Sequence, residues 1–196
     1  MDTLDKIALH PYFHDLFSIL KGCRNGMVYG AKVRFPHALV MTILFKSGSL
    51  ESKVKGILMA TKQHAQNLGL FATIYKTLMI VQRKLNGKEA SIHPFIAGII
   101  GGYYVFGENN SINQQIILYL FSRAVLAAVK VPVKRQIMDA PQQTYPVFAA
   151  VVWGCVMWLF RHETDTVQPS LRASMQYIYR DSDSWSSFKT LFWHNK

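Results

Sequence analysis

Hydrophobic residues lie in long continuous runs along this chain and seldom alternate with polar ones. The clearest runs are 92–107, 112–131 and 145–160, and the last of them contains no charged residue. Apolar runs of this length predict helices that are apolar on all sides, as in a buried core or a lipid bilayer. The pattern therefore predicts at least three strongly apolar helices.

A polar stretch, "GENNSINQQ" (107–115), separates the first two of these runs. Its Gly, Asn and Ser residues favour turns and interrupt helices. A connection this short brings the flanking helices side by side in opposite directions. The sequence therefore predicts an antiparallel hairpin with a polar turn.

Two earlier segments, 22–45 and 54–81, have helical length but are less apolar. Their charged residues include Arg24, Lys32 and Arg34 in the first segment and Lys55, Lys62 and Lys76 in the second. Such charges can face the inside of a bundle or extend to the headgroups of a bilayer. The alternative is a pair of amphipathic helices in a soluble bundle, with the charges facing water.

Small residues recur at intervals of four along several of these segments. The positions are Gly22, Gly26, Gly30, Gly98, Gly102, Ala150 and Gly154. A glycine inside a helix costs about 1 kcal/mol relative to alanine in water, but small residues let helix backbones approach closely in lipid. We therefore expect these positions to pack helices together, so that leucine at Gly26 or Gly102 would disturb the fold.

Together these patterns predict an all-α, multi-spanning transmembrane helix bundle with glycine-mediated packing. We divide the chain into an N-terminal amphipathic segment (1–21), the bundle (22–162) and a polar or amphipathic C-terminal tail (163–196).

The charge balance indicates what the chain contacts. It carries 22 Lys and Arg against 11 Asp and Glu, a formal net charge of +11, although only 17% of its residues are charged. Such a basic balance suits anionic lipid headgroups or nucleic acid. Nucleic-acid binding requires basic residues gathered on one face, whereas here they are scattered between apolar runs. We expect a lipid bilayer and no nucleic acid as the partner.

Few residues suggest chemistry. His10 and His14 are spaced to share a helix face, as metal ligands can, but no third ligand follows at a telling distance. Asp181 and Asp183 are typical of a solvated turn. We therefore expect no catalytic residue, no cofactor and no metal, and keep a membrane-embedded enzyme as an alternative.

Arg123 lies midway along the apolar run 112–131. A cation at the centre of a bilayer costs at least ~2.5 kcal/mol on insertion scales. We expect Arg123 to find an acidic partner, backbone carbonyls or water, unless the span shifts and lets its side chain reach the headgroups.

Four segments carry a family resemblance that extends from about residue 21 to residue 185. They are "GCRNGMVYGAKVRFPHALVMTILF", "VFGENNSINQQIILYLFSR", "AAVVWGCVMWLF" and "QPSLRASMQYIYRDSDSW". They resemble the peroxisomal membrane protein 4 family. The resemblance implies a multi-pass protein of the peroxisomal membrane, recognised by the cytosolic import receptor for such proteins, with no established biochemical activity. It leaves open a solute pore or a scaffold, and self-association.

That family is distantly similar to the channel subunits of mitochondrial inner-membrane translocases. The positions that match the wider pattern are Ala72, Tyr75, Ala97, Gly98 and Gly102. Where the pattern has an arginine and an aspartate, this chain has Asn86 and Ala90. The resemblance thus implies a shared helical architecture, and the missing charged pair disfavours the alternative of a protein-translocating channel subunit.

The distribution of basic residues predicts an orientation. With five spans, loops 82–91 and 132–144 lie on the same side as the N-terminus and are rich in Lys and Arg, whereas the turn 107–115 has none. Basic residues in short loops tend to stay on the cytosolic side. We therefore expect a cytosolic N-terminus and a luminal turn, with Lys130, Lys134 and Arg135 forming part of the targeting signal.

Overall fold

The computed structural model describes residues 3–139 and 142–192, in which all regular structure is helical. Five long helices coincide with the five predicted segments, and short helices flank them. The helices are α1 (Thr3–Ala8), α2 (His14–Phe45), α3 (Leu50–Asn86), α4 (His93–Phe106), α5 (Ser111–Lys134), α6 (Thr144–His162), α7 (Pro169–Met175) and α8 (Phe188–Phe192). The all-α prediction is confirmed. Residues 1–2 of the predicted N-terminal segment and 193–196 of the predicted tail lie outside the described residues.

The first long helix begins earlier than predicted. Helix α2 starts at His14, so the predicted boundary between residues 21 and 22 falls inside it. Asp15 stands in its first turn, where a negative charge is favourable near the positive end of the helix dipole. Hydropathy alone does not reveal this polar first turn as helical.

The chain divides into two compact units, Met1–Ala127 and Ala128–Lys196. The first contains α1 to α4 and most of α5, and the second contains the rest of α5 and the helices that follow. The boundary lies within an apolar helix. The boundary between the two compact units therefore differs from the predicted boundaries at 22 and 162, which were based on hydropathy.

Helices α2 and α3 pack against each other in antiparallel directions with little between their backbones. A Cβ atom added at Gly26 would lie 2.5 Å from the carbonyl oxygen of Leu68, and one at Gly30 would lie 2.8 Å from the Cα of Ala65. From the other side, a Cβ at Gly69 would lie 3.2 Å from the carbonyl oxygen of Cys23. The distances at Gly26 and Gly30 leave no room for a side chain, so the absence of a Cβ at these two positions is what allows this approach.

Helix α4 packs against α3 through a different face from the one predicted. Its buried stripe is Ala97, Gly101 and Val105, and a Cβ at Gly101 would lie 3.0 Å from the ring of Phe71. Gly98 and Gly102 have no described atom within 4 Å of an added Cβ. The α4 face that contacts α3 is therefore displaced by one residue from the predicted face, and the Phe71 ring lies opposite Gly101. A packing role for Gly98 and Gly102 stays a prediction.

Two of the described helices, α5 and α6, are long and apolar enough to span a membrane. Helix α4 has 14 residues, a length of about 21 Å at the usual rise, which is less than the ~30 Å hydrocarbon core of a bilayer. It is therefore too short to cross a bilayer alone. On α6, Gly154 has open space where a Cβ would lie, and Ala150 is exposed, so their predicted packing role is untested.

The C-terminal unit is built around the end of α6. Arg180 places its guanidinium 4.8 Å from the centre of the Phe160 ring and donates hydrogen bonds to the Phe160 carbonyl oxygen and the Thr164 hydroxyl at 3.3 and 3.1 Å. A cation is favourable at a helix C-terminus, where carbonyl groups lack partners. Phe160 and Met175 are both buried. The segment after α6 therefore folds back onto its last turn.

We expect Gly26→Leu to destabilise the protein, because its side chain would collide with the α3 backbone at Leu68. Overpacking typically costs about 1–3 kcal/mol, and a backbone neighbour cannot move aside as a side chain can. Fluorescence-detected size-exclusion chromatography after heating should show a lower midpoint for Gly26→Leu than for the parent protein. The matched control is Gly56→Leu on α3, where an added Cβ also meets no atom within 4 Å. Equal midpoints for the two variants would contradict this account of the packing.

Candidate functional site in a polar layer between α2, α3 and α5

The polar turn after α4 packs beside the middle of α3. Asn110 caps α5, since its Oδ1 accepts hydrogen bonds from the backbone N–H groups of Ile112 and Asn113 at 3.2 and 3.0 Å. The buried Asn113 side chain accepts a hydrogen bond from Asn67 Nδ2 and donates one to the Glu108 carbonyl oxygen, both at 3.0 Å. Because Asn67 lies near the middle of α3, the turn is held at mid-height of the α2–α3 pair.

Arg34 of α2 reaches the same level. Its Nη1 donates a hydrogen bond to Gln115 Oε1 at 2.9 Å, and its Nε is buried with no hydrogen-bond partner. Among the described residues, no carboxylate forms an ion pair with Arg34. The partly buried guanidinium thus has a neutral partner on one side and an unused donor on the other. We call Arg34, His64, Asn67, Asn113 and Gln115 the polar layer.

His64 of α3 supplies a second unpaired group. Its side chain is 8% exposed, and its Nδ1 atom is buried with no hydrogen-bond partner. Buried polar atoms are almost always hydrogen-bonded in folded proteins. Three such atoms are found in the described residues, Arg34 Nε and His64 Nδ1 in the polar layer and Asn110 Nδ2 in the adjoining turn. They suggest a site shaped for something other than the chain itself.

A cavity of about 330 Å³ opens beside Arg34 and His64. Its lining residues are Tyr29, Val33, Arg34, His37, His64, Leu68, Gln115, Ile116, Tyr119 and Leu120. Most of this wall is aliphatic or aromatic, with the polar groups gathered on Arg34, the two histidines and Gln115. Small-molecule sites in proteins commonly combine apolar walls with a few polar groups that orient the ligand.

The connection between α3 and α4 contains a second polar cluster, centred on His93. Its side chain is 2% exposed. The Ala90 N–H donates a hydrogen bond to Nδ1 at 3.2 Å, and the Asn86 side-chain amide lies 2.7 Å from Nε2. Because Nδ1 accepts, a neutral imidazole carries its proton on Nε2. With that tautomer the ring N–H donates to the Asn86 amide oxygen, which requires the amide to be turned by 180° from the orientation in which Nδ2 faces Nε2.

Positions 86 and 90 are those where the wider translocase pattern has its arginine and aspartate. Here both are bound to the same buried imidazole, one through a side chain and the other through the backbone. Gln82 adds a hydrogen bond from its Nε2 to the His93 carbonyl oxygen at 3.3 Å. Neutral hydrogen bonds therefore close the loop without a charged pair. His93 was not predicted from the sequence, although its position directly before Pro94 at the start of a helix was a signal that could have identified it.

The last turn of α3 also carries charged residues, which face the first turn of α2. Asp15 Oδ1 lies 2.9 Å from Arg83 Nη2, and Asp15 Oδ2 lies 3.2 Å from Lys84 Nζ. The hydrogen bond with Lys84, followed by the bond and charge of Arg83, lowers the pKa of the Asp15 carboxyl against the opposing effect of desolvation. The stability gained from these pairs is therefore present above the unfolded-state pKa and is lost as the pH falls through the folded-state pKa.

The remaining predicted residues lie apart from the polar layer. Arg123 is exposed on α5, and its guanidinium lies 5.0 Å from the centre of the Tyr119 ring on the preceding turn. It forms no ion pair with any residue that the structure describes. Within the same described ranges, His10 and His14 belong to no group of three or more side chains that could hold a metal ion.

Comparison with known proteins places the chain in a family. The model of the Tim17/Tim22/Tim23/Pmp24 family matches residues 13–122, more than half of the chain. This chain belongs to the Tim17/Tim22/Tim23/Pmp24 family. The match contains α2, α3, α4 and the first half of α5, and hence the whole polar layer.

Two relatives of this Tim17/Tim22/Tim23/Pmp24 protein are similar along nearly their full length. The chain is 46% identical to peroxisomal membrane protein 4 of Bos taurus and of Homo sapiens, over 94% of this chain and 87% of each relative. The resemblance found in the sequence is confirmed. No solved structure matches the chain significantly. The family and the relatives' names indicate a membrane protein and no enzyme family.

Of the matched family positions, Ala97 has no exposed surface and Tyr75 stacks on Phe71 with ring centres 6.2 Å apart. Ala72 is partly buried on α3. These three residues lie at or near the α3–α4 contact. Their family positions therefore coincide with helix packing, and their individual roles stay predictions.

We expect His93→Phe to destabilise the α3–α4 connection, because it keeps most of the buried volume and removes both ring nitrogens. The half-buried Ala90 N–H loses its acceptor, and a polar group shielded from water without a partner costs about 1–3 kcal/mol. The exposed Asn86 loses its bond to the ring at a smaller cost. Thermal unfolding of the purified protein should show a clearly lower midpoint. The control is His37→Phe, an exposed histidine. An unchanged midpoint for His93→Phe would show that these bonds contribute little.

Proposed function

We propose that this protein is a multi-pass integral protein of the peroxisomal membrane. Its relatives over nearly their whole length are named for that membrane, and its family is one of membrane proteins. The broad apolar surfaces of α5 and α6 support the proposal, because the candidate span in α5 has 0% and that in α6 only 6% of its residues buried within the protein. Apolar surface on this scale needs lipid or another helix to cover it.

Within that membrane, we propose that the polar layer forms part of a pathway for small polar solutes. The observation that carries this proposal is Arg34, a partly buried cation at mid-height of α2–α3 whose described partner is the neutral Gln115. Ionisable residues within membrane helices are costly, and they generally mark substrate or ion paths. The adjoining cavity supplies the space that such a path requires.

The short helix and polar turn support the same proposal. Non-helical backbone at membrane depth is tolerated only where protein buries it or where it lines a water-filled cavity. Transporter binding sites commonly lie at mid-membrane beside interrupted helices. Helix α4 is short, residues 107–110 are not helical, and α5 begins beside Asn67. This arrangement supports a solute site near the membrane centre.

Two alternatives account for fewer of these features. A scaffold requires no unpaired donors at the level of the polar layer. A protein-translocating role relies on the family resemblance, but Asn86 and Ala90 replace its charged pair and are held by His93. We propose that the protein is not an enzyme, and that the import receptor recognises its basic cluster at Lys130, Lys134 and Arg135.

A tagged copy should fractionate with peroxisomal markers and stay in the membrane pellet after alkaline carbonate extraction, because apolar helices do not leave lipid when ionic contacts are broken. A peripheral peroxisomal protein in the same cells, released by carbonate, is the control. Recovery of the tagged copy with mitochondrial inner-membrane markers would overturn the proposed location and favour the translocase alternative.

Liposomes containing the purified protein should release small anionic solutes faster than empty liposomes. We expect Arg34→Gln to reduce anion release at least tenfold, because the variant removes the positive charge of the polar layer. Lys32→Gln is the matched control, since Lys32 is an exposed cation two positions away. Release no faster than from empty liposomes would overturn the pathway and favour a scaffold. Equal release by the Arg34→Gln and Lys32→Gln variants would show that Arg34 is not part of the pathway.

A further inference from the structure

The wall of the α2–α3–α5 cavity is divided by chemistry. Arg34, His64 and Gln115 supply polar groups, whereas Val33, Leu68 and Leu120 supply aliphatic surface. A fully hydrated inorganic ion would leave the aliphatic surface wet. A purely apolar molecule would leave Arg34 Nε and His64 Nδ1 without partners, as they are now. The cavity therefore matches a molecule that has both kinds of surface.

We propose that this cavity binds an amphiphilic monocarboxylate, with its carboxylate at Arg34 and its apolar tail along Val33, Leu68 and Leu120. This inference rests on the proposed solute pathway and names the class of solute that it would accept. Nothing in the sequence patterns of the chain suggested it.

The charge of the ligand follows from the charge of the site. Arg34 is a single permanent cation, and no described carboxylate pairs with it. One negative charge would neutralise it, whereas a dianion would leave an uncompensated charge in a poorly solvated place. The planar guanidinium fork fits a carboxylate especially well, because two parallel N–H groups can meet its two oxygens.

Arg34 and His64 each have a nitrogen without a hydrogen-bond partner at this wall of the cavity. Nη1 of Arg34 is committed to Gln115 at 2.9 Å, which fixes the guanidinium plane, and Nε is the buried donor without a partner. His64, buried on the facing helix, offers Nδ1 in the same way. Nδ1 donates when it carries the proton of the neutral imidazole. Both residues line the cavity, so a carboxylate bound at this wall lies beside the two side chains that still have donors to offer.

The tail has a defined environment beyond the charged end. Tyr29 and Tyr119 line the cavity together with the aliphatic residues, and the cavity volume of about 330 Å³ suits a medium-length chain. Each methylene group that is buried adds to the affinity, so a tail should strengthen binding in proportion to the length that fits. Acetate, which lacks a tail, should therefore bind much more weakly than octanoate.

Equilibrium dialysis of radiolabelled octanoate against the full-length protein in lipid nanodiscs tests the proposal, with empty nanodiscs subtracted. We expect saturable binding of one octanoate per protein, weakened at least tenfold by Arg34→Gln and unchanged by Lys32→Gln. Acetate and octanol should each compete at least tenfold less well. No saturable binding, or equal binding to both variants, would overturn the proposal. Octyl phosphate binding without octanoate binding would overturn the carboxylate assignment in favour of a phosphate headgroup.

A second measurement uses the wild-type protein and does not depend on the folding of a variant. Octanoate with a photoreactive diazirine in its tail should crosslink to peptides containing Val33, Tyr119 or Leu120, and excess octanoate should abolish the crosslink. Crosslinks confined to α6 would overturn the site. Solute release without octanoate binding would refute this inference alone, whereas binding at Arg34 without release would refute the pathway and leave the binding site.

Discussion

The close approach of α2 and α3 is the constraint on which the rest of the structure depends. Gly26 and Gly30 face the backbone of α3 at Leu68 and Ala65, and Gly69 faces Cys23 in return. A Cβ atom on Gly26 or Gly30 would overlap backbone atoms that cannot rotate away, and one on Gly69 would meet the Met27 side chain. Close backbones are favourable in lipid because packing, more than the exclusion of water, holds membrane helices together.

The same stripe of residues brings polar groups inside the helix pair. Arg34 follows Gly30 by one helical turn on α2, so the face that carries the glycines also carries the cation. On α3, His64 and Asn67 lie beside Ala65. The turn after α4 then reaches this level through Asn113 and Gln115. Packing thus leaves a partly buried cation without a charged partner among the described residues, and this is why we connect the layer with a solute.

The α3–α4 connection shows how one member of a family can keep the architecture without a charged pair. His93 binds both Asn86 and the backbone of Ala90, so both positions keep partners inside the loop. A neutral network satisfies buried polar atoms without the desolvation cost of two ions. The helices on either side keep their contact through Ala97, Gly101 and Phe71.

The sequence by itself determined the helical class, the five long helices, the polar turn and the family, because apolar runs and turn residues are local signals that do not depend on distant contacts. It also singled out the glycines of α2. The start of α2 at His14, the contact of Gly101 with the Phe71 ring, and the exposed setting of Arg123 were decided by the tertiary structure. So was the polar layer, since Arg34, His64 and Gln115 are far apart in sequence and none carries a local motif. Which helix face meets a neighbour depends on the side chains of that neighbour, as the Phe71 ring shows, and a sequence read one segment at a time does not contain that information.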